Sequence, residues 1–155
     1  MTPTERAELI ERYRTGADAA VAAVDGITNA ELDRRPPGDA EWTAREVVHH
    51  LADSESMAYI RLRRLIAEDN PVIQGYDEPE WARRLHYDRP IEPAIAVLRA
   101  VREASLQLLE SLTPAEWGRT GTHSESGEYS VEQWLAIYAA HPQEHADQIL
   151  RARRS

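Results

Sequence analysis

The side chains most able to do chemistry begin with His141 and His145, in the segment HPQEH. Histidines four residues apart lie on one face of an α-helix, where two imidazole nitrogens can bind one metal ion. Pro142 stands between them. A proline inside a helix removes one backbone hydrogen bond. We therefore expect the helix to continue through this segment with a kink, leaving the carbonyl of Tyr138 for water or a side-chain donor.

Helical periodicity brings a third histidine, His50, towards the same interior. At about 100° per residue, His50 falls at the edge of the apolar stripe of its helix, and His49 points nearly opposite, towards solvent. On the last helix, His145 falls near the middle of the apolar stripe and His141 on its flank. Three histidines with an open fourth position are typical of catalytic zinc centres. The ordinary alternative for each histidine is a hydrogen-bonded residue at the edge of a core.

Four long helices must position these histidines. Their predicted ranges are residues 3–24, 43–68, 91–111 and 130–153. Capping boxes mark the start of the second helix, at Thr43 and Glu46, and of the fourth, at Ser130 and Gln133.

The remaining segments are predicted as connections. A long connection over residues 69–89, with one short helix near residues 78–85, could cover the mouth of the bundle. The stretch GTHSESGEYS is predicted as an exposed turn. No stretch of useful length alternates with a period of two, so no substantial sheet is expected. The predicted fold class is all-α, a four-helix bundle that forms a single domain over residues 1–155.

Composition excludes several classes of function. The chain contains no cysteine and no lysine, which excludes thiolate nucleophiles, sulfur-ligated metals and Schiff-base lysines. The formal net charge is −9, so we expect no binding to nucleic acid. No apolar run approaches the roughly 20 residues that span a bilayer, and the N-terminal segment lacks the apolar centre of a signal peptide. We therefore expect no membrane association and a cytoplasmic location.

The segment WTAREVVHHLADSESMAYIRLRRLIAEDNPVIQGYDEPEWA resembles the DinB/YfiT-like family of metal-dependent hydrolases, in particular its YfiT-type branch. LTPAEW and LAIYAAHPQEHADQIL resemble later segments of that family, in the same order. The resemblance implies a four-helix bundle that holds a divalent metal, zinc or nickel, on His50, His141 and His145. The YfiT-type branch often has further histidines at positions corresponding to residues 142–144, where this chain has Pro, Gln and Glu. The resemblance also suggests a homodimer.

The first functional hypothesis is a hydrolase in which a metal-activated water attacks a small-molecule substrate. Glu144 and Asp53 are the candidate catalytic carboxylates, because they are the acidic side chains best placed to reach such a water or to orient a ligand imidazole. Each has an ordinary alternative. Glu144 can be a solvated helix residue, and Asp53 can be an exposed neighbour one turn from His50.

Two other hypotheses remain open. The chain could be a thiol-dependent S-transferase in which the metal activates a low-molecular-weight thiol such as bacillithiol or mycothiol. It could also be a non-catalytic, metal-stabilised binding module of a stress response. The absence of cysteine is compatible with a transferase but does not distinguish it from a hydrolase.

Overall fold

A computed structural model describes residues 1–37 and 42–154 and confirms the predicted four-helix bundle. In chain order the helices are α1 (Pro3–Ala23), α2 (Asn29–Leu32), α3 (Ala44–Ala67), α4 (Glu78–Arg84), α5 (Glu92–Ser111), α6 (Pro114–Trp117) and α7 (Val131–Arg154). The strands are β1 (Val72–Ile73), β2 (Thr120–His123) and β3 (Gly127–Ser130). The long helices α1, α3, α5 and α7 form the bundle, in which α1 packs on α5 and α7, and α3 packs on the same two helices.

Both predicted capping boxes are present at the helices that carry the histidines. At the start of α3, the Thr43 hydroxyl accepts from the Glu46 amide, and the Glu46 carboxylate accepts from the Thr43 amide. Ser130 and Gln133 exchange the same pair of bonds before α7. These bonds satisfy amides that would otherwise lack partners in the first turn. Of the helices in residues 1–37 and 42–154, none combines the length and apolar character needed to cross a bilayer.

The core consists of two apolar clusters with a polar layer between them. One cluster includes Leu51 and Ala146, and the other includes Ala58 and Ala139. Along both α3 and α7, the chain passes from one cluster to the other within about two turns. Two candidate metal ligands, His141 and His145, and a buried ion pair occupy this break, and His50 lies one turn before it on α3.

The bundle also has a small three-stranded sheet, which the sequence did not predict. β1 pairs parallel with β2, and β2 pairs antiparallel with β3. The predicted exposed turn is therefore the β2–β3 hairpin, and its inner side chain Tyr129 is buried in the core beside Ile73. Gly127 has a φ of +81° at the hairpin, which glycine adopts without strain. Strands of two to four residues are too short for alternation to be recognised.

Candidate metal centre

The three predicted histidines meet between α3 and α7. The ring centroids of His141 and His145 lie 4.5 Å apart, and those of His50 and His145 lie 4.7 Å apart. One nitrogen from each of the three rings lies within 4.8 Å of the others. Pro142 does not separate the pair on α7, since the Nε2 atoms of His141 and His145 are 3.1 Å apart.

These distances fit one divalent metal ion. Two nitrogens bound tetrahedrally to zinc at about 2.1 Å would lie about 3.4 Å apart, close to the 3.1 Å between the two Nε2 atoms on α7. Imidazole nitrogen is a preferred ligand of zinc and nickel. The described residues therefore provide three donors of suitable chemistry within reach of a single ion.

Burial keeps two of these imidazoles neutral. Desolvation, followed by the neighbouring imidazoles of His145 and His141, lowers the pKa of His50 to about 3. Desolvation, followed by the neighbouring His141, lowers the pKa of His145 to about 4. A neutral imidazole keeps a lone pair, which a metal ligand requires.

Each histidine has a different outer environment. Nδ1 of His145 lies 2.8 Å from Oε1 of Gln148. An amide oxygen only accepts, so this nitrogen carries the proton and Nε2 keeps its lone pair. The ring of Trp42 packs edge-on against His50, with centroids 4.9 Å apart. Nδ1 of His141 faces Oε1 of Glu55 at 3.7 Å, too far for a hydrogen bond.

The two predicted catalytic carboxylates differ in their exposure and contacts. Glu144 is exposed on α7. Asp53 is half-buried and accepts a 2.7 Å hydrogen bond from the Tyr87 hydroxyl. Burial and then this bond raise the pKa of Tyr87. Within the described part of the chain, no hydrogen bond joins either carboxylate to the three imidazoles, and their catalytic roles stay predictions.

His49 faces away from the three histidines, but the prediction that it points to solvent was wrong. Its side chain is buried, Nε2 lies 3.0 Å from the carbonyl oxygen of Arg89, and its ring stacks on Tyr87. Burial lowers its pKa. The connection before α5 folds back over this face of α3, and a helical wheel contains no information about connections.

Sequence reasoning missed a buried ion pair beside the site. Nη1 of Arg102 on α5 donates to Oε1 of Glu55 on α3 at 2.7 Å, and both side chains are almost fully buried. Arg102 also donates to the carbonyl oxygens of Tyr138 and Tyr13. The spacing of residues on α5 could have indicated that Arg102 is buried. Arg102 follows Leu98 by four residues and precedes Leu109 by seven, so it lies on the buried stripe of α5.

As predicted, the helix does not end at Pro142, which lies inside α7, and it continues to Arg154. The kink at this position stays a prediction. Because a proline has no N–H, the Tyr138 carbonyl cannot receive the usual bond from four residues ahead. Nη1 of Arg102 donates to this oxygen at 3.1 Å, so the expectation that a side chain would reach the carbonyl is confirmed.

Comparisons with known proteins agree with this fold. The family model described as the DinB superfamily matches residues 12–149. A protein of Oceanobacillus iheyensis named "Putative metal-dependent hydrolase OB0782" is 45% identical over 119 residues, which are 77% of this chain and 69% of that protein. One of Geobacillus thermodenitrificans, named "Putative metal-dependent hydrolase", is 34% identical over 150 residues, 95% of this chain and 83% of its own.

A solved structure also matches almost the whole chain. YfiT from Bacillus subtilis, described as "a probable metal-dependent hydrolase with an unusual four-helix bundle topology", superposes with a TM-score of 0.91 at 28% sequence identity. The match covers 99% of this chain and 89% of that one.

Proposed function

The chain belongs to the DinB superfamily, and we propose that it is a hydrolase in which His50, His141 and His145 hold one divalent metal ion, zinc or nickel. The observation that carries the proposal is the convergence of three imidazoles from two helices within 4.8 Å. A divalent metal bound by three imidazoles can lower the pKa of a coordinated water to about 7 and polarise a substrate oxygen.

The residues of the chain supply the setting for that chemistry. Burial keeps His50 and His145 neutral at pH 7, so no proton competes for their lone pairs. Gln148 fixes the proton of His145 on Nδ1, and Trp42 covers one side of His50. The proposal includes a small-molecule substrate, and the catalytic roles of Glu144 and Asp53 stay predictions within it.

The first test is metal content and metal-dependent hydrolysis. Protein purified without an affinity tag or chelator is analysed for bound elements, stripped, and reloaded with zinc or nickel. It is then assayed against a panel of activated esters, amides and lactones. We expect about one metal per chain, and hydrolysis that is lost on stripping, restored by reloading and absent from His145→Ala.

A second arm distinguishes the alternatives. The same panel, supplemented with electrophilic substrates, is run with and without a low-molecular-weight thiol. Conjugation that requires the thiol, without hydrolysis in its absence, would replace the hydrolase proposal with an S-transferase. A stably bound metal without activity in either arm would leave a binding module, and absence of bound metal from the reloaded protein would overturn the proposal.

A further inference from the structure

We propose that Glu55, held by Arg102, is a positioning residue for His141. Its carboxylate accepts a hydrogen bond from Nδ1–H of that imidazole, which keeps the lone pair of Nε2 free for a metal. The inference rests on the metal site of the proposed function and adds a residue that is remote from His50 on the helical wheel.

The geometry places the unpartnered Nδ1 of His141 beside a buried carboxylate that has accepting capacity to spare. The Glu55 side chain is 0% exposed, and its Oε1 lies 3.7 Å from Nδ1 of His141. Within the described part of the chain, Oε2 of Glu55 and Nδ1 of His141 are both buried without a hydrogen-bond partner. Buried polar groups in native proteins are almost always paired. A small rotation of the imidazole would bring Nδ1 within hydrogen-bond distance of Oε1 of Glu55, which already accepts from Arg102.

His141 has two neutral tautomers, and they have opposite consequences for the site. With the proton on Nε2, His141 can donate to Nε2 of His145, which lies 3.1 Å away and whose proton is fixed on Nδ1 by Gln148. In that tautomer Nε2 of His141 carries a proton, and the lone pair of Nε2 of His145 accepts it in a hydrogen bond. Neither Nε2 then has a lone pair free for a metal. With the proton on Nδ1, both Nε2 atoms present lone pairs to the same point. A carboxylate facing Nδ1 favours this second tautomer, because it can only accept.

Arg102 holds the carboxylate in place. Its guanidinium donates to Oε1 of Glu55 at 2.7 Å. Arg102 is itself fixed by the carbonyl of Tyr138 on α7 and that of Tyr13 on α1. Its position is therefore set by the bundle, and the carboxylate stays beside His141 whether or not a metal is bound.

This arrangement also distinguishes the two histidines of α7. The outer partner of His145 is the neutral amide of Gln148, whereas the group facing His141 is an anion. A carboxylate that accepts from a ligand imidazole makes that imidazole a stronger donor to the metal, and loss of such a partner typically weakens metal affinity about 10- to 100-fold.

The test replaces Glu55 by glutamine, which keeps an oxygen for Arg102 but removes the charge. The matched control is Glu68→Gln, which removes an exposed carboxylate just beyond the end of the same helix. Zinc affinity is measured by competition with a chromophoric chelator, on protein shown to be folded by circular dichroism. In the metal-free proteins, long-range proton–nitrogen NMR correlations report the tautomer of His141.

We expect Glu55→Gln to weaken zinc binding at least tenfold and to shift His141 towards the tautomer protonated on Nε2. Glu68→Gln should stay within twofold of wild type and leave the tautomer unchanged. A purely structural role for Glu55 would lower stability without moving the tautomer. If Glu55→Gln does not fold, Glu55→Asp provides the same test, since it keeps the charge near Arg102 and withdraws the carboxylate from His141 by about one bond length.

Unchanged affinity together with an unchanged tautomer in the folded variant would overturn the inference while leaving the proposed hydrolase intact. Absence of zinc binding in the wild-type protein would instead overturn the proposed function. The tautomer measurement on metal-free protein would then still decide whether Glu55 directs the proton of His141.

Discussion

Replacing Arg102 by methionine should come close to unfolding the protein. The substitution removes the partner of Glu55, whose side chain is 0% exposed. Removing one member of a buried ion pair typically costs about 3–5 kcal/mol, because the remaining charge stays buried and uncompensated. The carbonyl oxygens of Tyr138 and Tyr13 also lose a charged donor, which adds about 1–3 kcal/mol for each group that finds no new partner.

The expected loss is therefore at least about 4 kcal/mol, against the roughly 5–15 kcal/mol by which folded domains are stable. Urea unfolding, followed by far-ultraviolet circular dichroism, measures it. With a denaturant dependence of about 2 kcal/mol per molar urea, the midpoint should fall by about 2 M. Zinc should be left out of this experiment, since a bound metal adds its own binding free energy to the folded state.

A second variant separates the charge from the packing. Adding Glu55→Gln to Arg102→Met removes the uncompensated carboxylate while leaving the methionine in place. The double variant should therefore be more stable than Arg102→Met alone. If the two substitutions acted independently, it would instead be less stable. A loss below about 1 kcal/mol in Arg102→Met, or a further loss in the double variant, would refute the view that this pair is a buried and mutually dependent ion pair.

The remaining predictions concern the site and its surroundings. His145→Ala should abolish stoichiometric metal binding, whereas His49→Ala should retain the metal because His49 lies on another face of α3, and elemental analysis of the two variants checks this. The free energy of unfolding of the metal-free protein should be highest above pH of about 6.5, the ordinary histidine pKa. It should fall as the pH drops towards 4, because the pKa values of His50 and His145 are lowered in the folded protein, so the unfolded chain binds more protons than the folded one over this range. Urea midpoints that do not change between pH 7 and 4.5 would contradict this. Gly16→Ala should destabilise α1 by about 1 kcal/mol, despite a similar gain in helix propensity. The added methyl group would lie 3.0 Å from Nη2 of Arg102, which cannot move easily, and an increase in the urea midpoint would count against this.

Local sequence signals were sufficient for the helices and for the choice of ligands. The capping boxes at Thr43 and Ser130 mark helix starts within a residue or two of those observed. Helical periodicity then selects His50, His141 and His145, because facing the interior is a property of position along one helix. The family resemblance points to the same three residues.

The sequence could not predict what comes from distant segments. His49 is covered by the connection after α4, whose path depends on tertiary packing. Strand β1 pairs with β2, from which it is separated by nearly fifty residues, and a two-residue strand has no periodicity of its own. The same limit applies to Glu55, whose role depends on a partner from α5.

Pro142 shows how a local signal and a distant partner combine. A proline in a helix predicts that one carbonyl will lack its usual donor, but it does not predict which group will replace that donor. Arg102 takes that place, and the absence of a side chain at Gly16 leaves room for it. The same guanidinium holds Glu55 against His141. The polar layer that interrupts the core at the metal site therefore joins all four long helices through a single side chain. Substitutions in this layer should change the stability of the bundle and the arrangement of the imidazoles together, whereas substitutions in either apolar cluster should change stability alone.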